Sequence, residues 1–227
     1  MTDTLILIAV LVPCLVIAIV FHEVAHGFAA KLLGDNTASE RGRLTLNPIR
    51  HVDPVGTLLV PGALALAGGP VFGWAKPVPV NKFRLNNPRF GMMAVAAAGP
   101  GSNFVLAFVG AVTLGVAMSV FGPGIMAEGN PVGTALTMFL LINIFLGLFN
   151  LLPIPPFDGS HIVGGLLPDG LRAYWDRLQR VGIALFLGVI AYSWMFGTEW
   201  LASTLLPPVE WAMRLCLRLA GWIAGAA

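Results

Sequence analysis

Two histidines and a glutamate form the segment of this chain with the strongest chemical signal. Residues 22–26 read His-Glu-Val-Ala-His and lie within an apolar stretch. On a helix, positions i and i+4 share one face, so the imidazoles of His22 and His26 can bind one metal ion. Glu23 follows the first histidine and can act as general base toward a water molecule at that metal. Ionisable side chains are costly in hydrocarbon, which favours a functional role for all three residues.

A catalytic zinc site needs a third protein ligand and a position left for water. The extended histidine motif of some soluble zinc proteases would place that ligand at position 32, where this chain has Leu32. Four side chains of suitable chemistry remain, namely His51, Asp53, Asp158 and His161. Asp158 is the strongest candidate because it follows an apolar helix and a proline-rich turn, where an unpaired carboxylate is costly. His161 could replace or support it, and the other two remain alternatives.

The composition indicates a membrane protein with several spanning helices. Of the 227 residues, 57% are hydrophobic and 11% are charged, and the mean hydropathy is +0.83. This length has room for about five or six spanning helices of roughly 20 residues, and for no separate soluble domain. We therefore expect a single domain over residues 1–227, with a core in 1–166 and C-terminal helices in 181–224. The net charge of +2 and the lack of a basic run argue against a nucleic-acid partner.

Two features could be mistaken for a cross-link or a processing signal. Cys14 and Cys216 lie in apolar segments without ligand spacing, so we predict neither a disulfide nor a metal site from them. The apolar N-terminal run lacks a basic start and carries the His22–His26 motif itself. We therefore predict a retained helix and not a cleaved signal peptide.

Long apolar runs predict where the chain crosses the membrane. The final run is expected to span although it carries Arg214 and Arg218. The predicted spanning segments, with approximate bounds, are 4–33, 89–121, 131–152, 181–196 and 205–224.

The region between the first two long helices breaks the helical pattern. Residues 41–46 predict a short strand, and residues 75–81, with prolines at 77 and 79, predict an edge strand or an extended loop. The apolar stretch 55–72 is interrupted by proline and glycine and has basic residues on both flanks. A re-entrant loop keeps both basic clusters on the cytoplasmic side. The predicted fold class is therefore an all-α polytopic membrane protein of five to six transmembrane helices with a re-entrant or short β region.

The distribution of basic residues also predicts the orientation in the cell membrane. The N-terminus and the loops 122–130 and 197–204 are expected outside the cell. The loop 157–180 holds three arginines and is expected inside. The end of the first helix that carries the metal motif then faces the cytoplasm.

Several motifs together resemble the site-2 protease family, the intramembrane zinc metalloproteases, and particularly its short bacterial members. Besides residues 22–26, the matching segments are Asn47-Pro48 with 53–57, the stretch 99–103, and the stretch 150–159 that ends in Asp-Gly. They occur in the family's order and cover residues from about 18 to 166.

The resemblance implies an activity and a set of site residues. It implies that Asp158 is the third ligand of one catalytic Zn²⁺, and that Asn150 and Asn103 contact the substrate backbone or the developing oxyanion. The expected substrates are transmembrane proteins, cut within or near their spanning segments in regulated intramembrane proteolysis. An extended substrate could pair with a strand from 41–46 or 75–81. Formation of a homo-oligomer is compatible with the sequence.

Two other functions use the same residues. A membrane metal transporter could use the histidines and Asp158 as a transit site, and a non-catalytic membrane binding protein could keep the motif as structure. Transporters usually show paired halves with matching broken helices, and this sequence shows no such repeat. Glu23 has a role as a base only in the protease, so the protease is the favoured interpretation.

Overall fold

The computed structural model describes residues 2–66, 73–197 and 200–225. These residues form eight α-helices and contain no β-strand. In chain order the helices are α1 (Thr2–Leu32), α2 (Thr37–Glu40), α3 (Val60–Leu66), α4 (Pro88–Phe121), α5 (Pro131–Asn150), α6 (Asp158–Leu166), α7 (Asp169–Phe196) and α8 (Trp200–Ile223). Short 3-10 or π turns lie between them at Pro48–His51, Pro54–Leu59, Lys82–Arg84 and Pro123–Met126.

Three of the described helices are long and apolar enough to cross a membrane. They comprise Ala9–Leu32 of α1 and the whole of α4 and α5. Large apolar side chains on α4, among them Val105 and Phe108, point away from the protein interior. This pattern suits contact with lipid. The prediction of an all-helical membrane protein is confirmed in this form, and the total of five to six spanning helices stays a prediction.

Helices α4 and α5 begin in the same way. Asn87 precedes α4 and its side-chain oxygen accepts hydrogen bonds from the backbone N–H groups of Arg89 and Phe90. Asn130 precedes α5 and caps the next two free N–H groups of that helix in the same manner. Each asparagine is followed by proline, whose missing N–H costs nothing in the first turn. Capping therefore defines where both spanning helices start.

Helix α4 lies at the centre of the fold. It contacts α1, α5, α6 and α8, so it forms part of most of the interfaces between long helices. The largest buried cluster joins α4 to α5 and α8 through small or aliphatic side chains, namely Ala107, Ala111, Leu114, Leu140, Ile144, Val209 and Ala220. These residues of α4 lie in its C-terminal half, and its N-terminal half packs against α1, where the candidate metal ligands lie.

The region between α1 and α4 differs from its predicted form. Residues 41–46 and 75–81 are extended in part but form no strand, so the β part of the prediction is not confirmed. The described part of the predicted re-entrant stretch is helical, in the turn Pro54–Leu59 and in α3, and residues 67–72 lie outside the described residues. Side chains bind most of the backbone of 76–81, and the N–H groups of residues 41–43 bind carbonyls of α2.

A segment of six residues, 76–81, crosses α1 and is called the strap below. At its C-terminal end, the N–H of Asn81 donates to Asp35 Oδ2 at 2.5 Å. Asp35 is fully buried and also accepts from the hydroxyl and the N–H of Thr37 at 2.5 and 3.0 Å. Burial acts to raise the pKa of Asp35, but these hydrogen bonds outweigh it and lower the pKa below its ordinary value. An ionised carboxylate therefore ties the strap to the end of α1.

We expect Asp35→Asn to destabilise the protein at neutral pH. The depressed pKa means that the carboxylate stabilises the folded state above about pH 4, and that this contribution is lost as the pH falls through the folded-state pKa. The midpoint of thermal unfolding in detergent should fall by about 5 °C at pH 7. The difference between the two proteins should narrow below about pH 4. An equal difference at pH 7 and pH 3 would contradict an ionised anchor.

Candidate metal centre

Three ligand atoms, two from α1 and one from α6, converge between α1, α4 and α6. His22 Nε2 and His26 Nε2 lie 3.0 Å apart. Asp158 Oδ2 lies 3.2 Å from the first nitrogen and 3.3 Å from the second. Within the described ranges, no other set of three or more His, Cys, Asp or Glu side chains converges in this way. The structure therefore brings together the three residues that the sequence predicted as metal ligands.

Hydrogen bonds on the far side of each imidazole decide where its proton lies. His22 Nδ1 is 2.6 Å from Asn103 Oδ1, and His26 Nδ1 is 2.7 Å from the carbonyl oxygen of Val95. Because carbonyl oxygens only accept, both Nδ1 atoms must carry the proton. In the neutral rings both Nε2 atoms then present lone pairs to each other and to Asp158. Asp158 Oδ2 is itself buried with no hydrogen-bond partner.

The arrangement fits a zinc ion. A tetrahedral ion with bonds of about 2.0–2.1 Å separates its ligand atoms by about 3.3 Å, close to the three distances found here. Two imidazole nitrogens and one carboxylate oxygen are a ligand set that zinc accepts, with a fourth position left for water. A carboxylate that ligates zinc is deprotonated, so Asp158 would hold the ion as an anion.

Helices α1 and α4 run antiparallel, and matching stripes of residues build the ligand pocket. Val95, Gly99 and Asn103 are spaced by four residues on α4 and face the four-residue spacing of the histidines on α1. A Cβ atom added to Gly99 would overlap the His26 ring and would lie 2.7 Å from His22 Cε1. Glycine at this position therefore gives the two rings the space that they occupy.

Asp158 comes from the first turn of α6, and α7 supports that turn. The buried ring of Phe157 packs on Phe149 of α5 and Phe186 of α7, with ring centroids 4.3 and 4.9 Å apart. The indole N–H of Trp175, also on α7, donates to the carbonyl of Ser160 at 2.8 Å. Aromatic packing and this hydrogen bond hold the carboxylate in place beside the histidines.

Asn103 lies behind His22 and its amide group is fully used. Its oxygen accepts from His22, and its nitrogen donates to the carbonyl of Ala18 at 3.2 Å and to Asn143 Oδ1 at 3.0 Å. Asn103 and Asn143 are both fully buried. The predicted contact of Asn103 with substrate would need these bonds to break, so the geometry favours orientation of His22. Asn143 was not singled out from the sequence, although an amide within an apolar helix was a usable signal.

Glu23 and Asn150 lie at the edge of the centre. Glu23 is half-buried, and its Oε2 accepts a hydrogen bond of 2.8 Å from the backbone N–H of Val78. No sequence pattern indicated this partner, which lies 55 residues away. Asn150 ends α5, and its amide donates to the carbonyl of Leu146 in its own helix at 3.0 Å. A role for Asn150 at the oxyanion stays a prediction.

The three alternative ligands lie outside the converging set. His51 Nε2 binds the carbonyl of Thr45 at 2.8 Å, and Asp53 caps the turn that follows it. His161 Nδ1 lies 3.3 Å from Gln179 Nε2. Burial lowers the pKa of His161, which keeps its ring neutral. Local hydrogen bonds therefore account for all three.

Comparison with known proteins agrees with this centre. The profile of peptidase family M50 matches residues 10–189, which include all three ligands and Glu23. The chain belongs to peptidase family M50. It is a zinc metalloprotease, and its three long apolar helices fit a membrane protein of that family.

Several proteins whose names describe zinc metalloproteases are similar to most of this chain. "Putative zinc metalloprotease YwhC" of Bacillus subtilis is 42% identical over 178 residues, which cover 78% of this chain and 78% of that protein. "Putative zinc metalloprotease Rip2" of Mycolicibacterium smegmatis is 31% identical over 180 residues, covering 77% and 65%. Rip2 of Mycobacterium tuberculosis is 29% identical over 191 residues, covering 80% and 68%. No solved structure matches the chain significantly.

We expect Gly99→Ala to abolish zinc binding by this M50 protease. The new methyl group would occupy the space of the two imidazole rings and push them apart. Gly101→Ala is the matched control, since a Cβ there meets nothing within 4 Å. Zinc content of the purified proteins, measured by atomic emission, should be near zero for the first variant and normal for the second. Equal zinc content in both would contradict the proposed packing.

We expect Asn103→Leu to weaken zinc binding about 10–100-fold, the usual effect of losing a partner that orients a metal-binding histidine. The substitution preserves approximate volume but leaves the Nδ1 proton of His22 without its acceptor. Affinity can be measured by competition with a chromophoric chelator. Ser102→Ala serves as control, because that hydroxyl binds only the carbonyl of Gly99 in its own helix. An unchanged affinity in Asn103→Leu would remove the orienting role.

Proposed function

We propose that this M50 protease is an intramembrane endopeptidase that cuts other membrane proteins within or near their spanning segments, in regulated intramembrane proteolysis. The observation that supports the proposal is the position of the centre. Its two histidines lie on an apolar helix long enough to span a membrane, and they pack against a second such helix. The peptide bond of a substrate must therefore approach these helices from their side to reach the ligands.

Each residue of the centre has a role in the proposed reaction. His22, His26 and Asp158 hold one zinc ion, which when bound polarises a peptide carbonyl and acidifies a water molecule. Glu23 takes a proton from the attacking water and delivers it to the nitrogen of the leaving amine. Asn103 and the carbonyl of Val95 keep the two imidazoles in the tautomer that ligation requires. Asn150 donates its amide to the developing oxyanion.

The substrate must be extended when it is cut, because a helix buries its carbonyls in its own hydrogen bonds. Two segments were predicted to pair with such a substrate. In the strap, the N–H groups of residues 76, 78 and 81 already have acceptors, and Pro77 and Pro79 have no N–H. In the other segment the N–H groups of residues 41–43 bind carbonyls of α2, so residues 44–46 are the part that we propose pairs with the substrate.

The proposed location is the cell membrane, with several crossings and with the centre facing the cytoplasm. The charge distribution supports this, because Lys31 ends α1 near the motif and arginines cluster in the loop and first turns after Asp158. Partners are transmembrane substrates and the lipid bilayer. A metal transporter or a non-catalytic binding protein would have no use for Glu23 as a base.

We expect purified wild-type protein in liposomes to cut a model transmembrane substrate. Glu23→Gln should keep its zinc and lose about 10²–10⁴-fold in rate, the range for loss of a general base. Asp158→Ala should lose zinc, since one of three ligands is removed. Cleavage is followed by mass spectrometry, which also locates the cut bond.

His161→Ala is the control for this experiment, because that side chain lies outside the converging ligand set. It should bind zinc normally. Cutting by Glu23→Gln at the wild-type rate would exclude the proposed mechanism. Zinc transport into liposomes without proteolysis would favour the transporter.

A further inference from the structure

The side chain of Glu23 does not share the helix face of the two ligands. Successive residues of an α-helix are rotated by about 100°, so Glu23 projects to one side of His22. A glutamate side chain has three rotatable bonds, and it must be held if its carboxylate is to meet the reacting water. The N–H of Val78, 2.8 Å from Oε2, is the contact that holds it here. One carboxylate oxygen is thereby engaged, and Oε1 is left for proton transfer.

The sequence of the strap leaves a single donor at this point. Residues 77–79 read Pro-Val-Pro, and proline has no backbone N–H. Val78 therefore carries the one N–H group of these three residues, and that group points at Glu23. The two proline rings also restrict φ on either side, which reduces the conformations open to the strap.

Buried polar groups anchor the strap on both sides of Val78. The guanidinium group of the buried Arg43 donates to the carbonyl of Lys76 at 2.6 Å, and the N–H of Lys76 donates to the carbonyl of His51 at 2.9 Å. On the other side, the N–H of Asn81 donates to the buried carboxylate of Asp35. Releasing the strap would take one hydrogen-bond partner from each of these buried charged groups, which is costly.

The side chain of Val78 fixes the height of the strap above α1. It is 7% exposed, and it packs against Gly27, the residue that follows His26. A Cβ atom at Gly27 would lie 2.8 Å from Val78 Cγ1 and 2.7 Å from Leu44 Cδ2, closer than such contacts allow. Glycine at position 27 therefore lets the backbone of the strap come within hydrogen-bonding distance of Glu23.

We propose that the backbone N–H of Val78 positions Glu23 as the general base, and that the strap stays bound across α1 throughout the reaction. Val78 is a positioning residue, because it acts on the reacting atoms through Glu23. This inference rests on the proposed protease function. The anchors by Arg43 and Asp35 argue that the strap is fixed, and not a cover that leaves when substrate binds.

The test removes the backbone N–H group of Val78. Val78→Pro deletes the N–H, and Val80→Pro places the same substitution two residues further along the strap, where the N–H does not face Glu23. Val78→Pro should lower kcat about 100-fold while KM and zinc content change less than about threefold, since misplacement of a catalytic group costs this much. Val80→Pro should keep zinc and a kcat within about threefold of wild type.

A second measurement does not depend on activity. Val78→Pro should lower the midpoint of thermal unfolding by about 3 °C in the wild-type background and by clearly less in a Glu23→Ala background, because the contact is already gone there. If Val78→Pro fails to fold, incorporation of the α-hydroxy analogue of valine at position 78 replaces the N–H by an ester oxygen and keeps the side chain. The same loss of kcat is expected.

Three results would overturn the inference. Wild-type or higher kcat in Val78→Pro would mean that the N–H is idle or that the strap is a removable cover. A raised KM with normal kcat would make the strap a substrate-binding segment. Equal unfolding shifts in both backgrounds would mean that the contact does not form. Cleavage by Glu23→Gln in the same assay would instead overturn the proposed function, and the unfolding cycle would still decide whether Val78 holds Glu23.

Discussion

Two imidazole nitrogens and a carboxylate oxygen are held within 3.3 Å of one another inside an apolar bundle. With the protons on the far nitrogens, each of these atoms presents a lone pair to the other two, and the repulsion is strong where water is scarce. A cation among them turns the repulsion into binding energy. With or without the cation, the surrounding protein must hold the three atoms together. Most of the polar contacts around the centre serve that requirement.

Helix α4 meets much of this requirement with one face. Three positions spaced by four residues contribute to it, namely the carbonyl oxygen of Val95, Gly99 with no side chain, and the amide of Asn103. The oxygens of Val95 and Asn103 accept hydrogen bonds from the imidazoles, and Gly99 leaves room for their rings. Further along α4, Ala107, Ala111 and Leu114 pack on α5 and α8, which holds the helix in place beside α1.

The strap holds the general base, Glu23, in a similar way, through a hydrogen bond from a backbone that is itself fixed. Its backbone is bound by charged side chains and a single carbonyl where a sheet would use a neighbouring strand. Such bonds are stronger than those between neutral groups and tolerate an irregular chain path. This explains why residues 75–81 look like a strand in sequence and form none: their hydrogen-bonding groups are taken by side chains, and two of the donors are lost to proline.

The sequence by itself determined the chemistry of the centre. The spacing of His22, Glu23 and His26 predicted two metal ligands and a base, because local spacing on one helix defines them. Asp158 was the strongest of four candidates for the third ligand, and the resemblance of several motifs to the site-2 protease family implied that choice. Only the tertiary structure decided the surroundings. Asn103 lies 81 residues from His22 and Val78 lies 55 residues from Glu23, and no local pattern encodes contacts between helices or across a connecting segment. They follow from the packing of α1 against α4 and from the path of the strap, which depend on the whole chain.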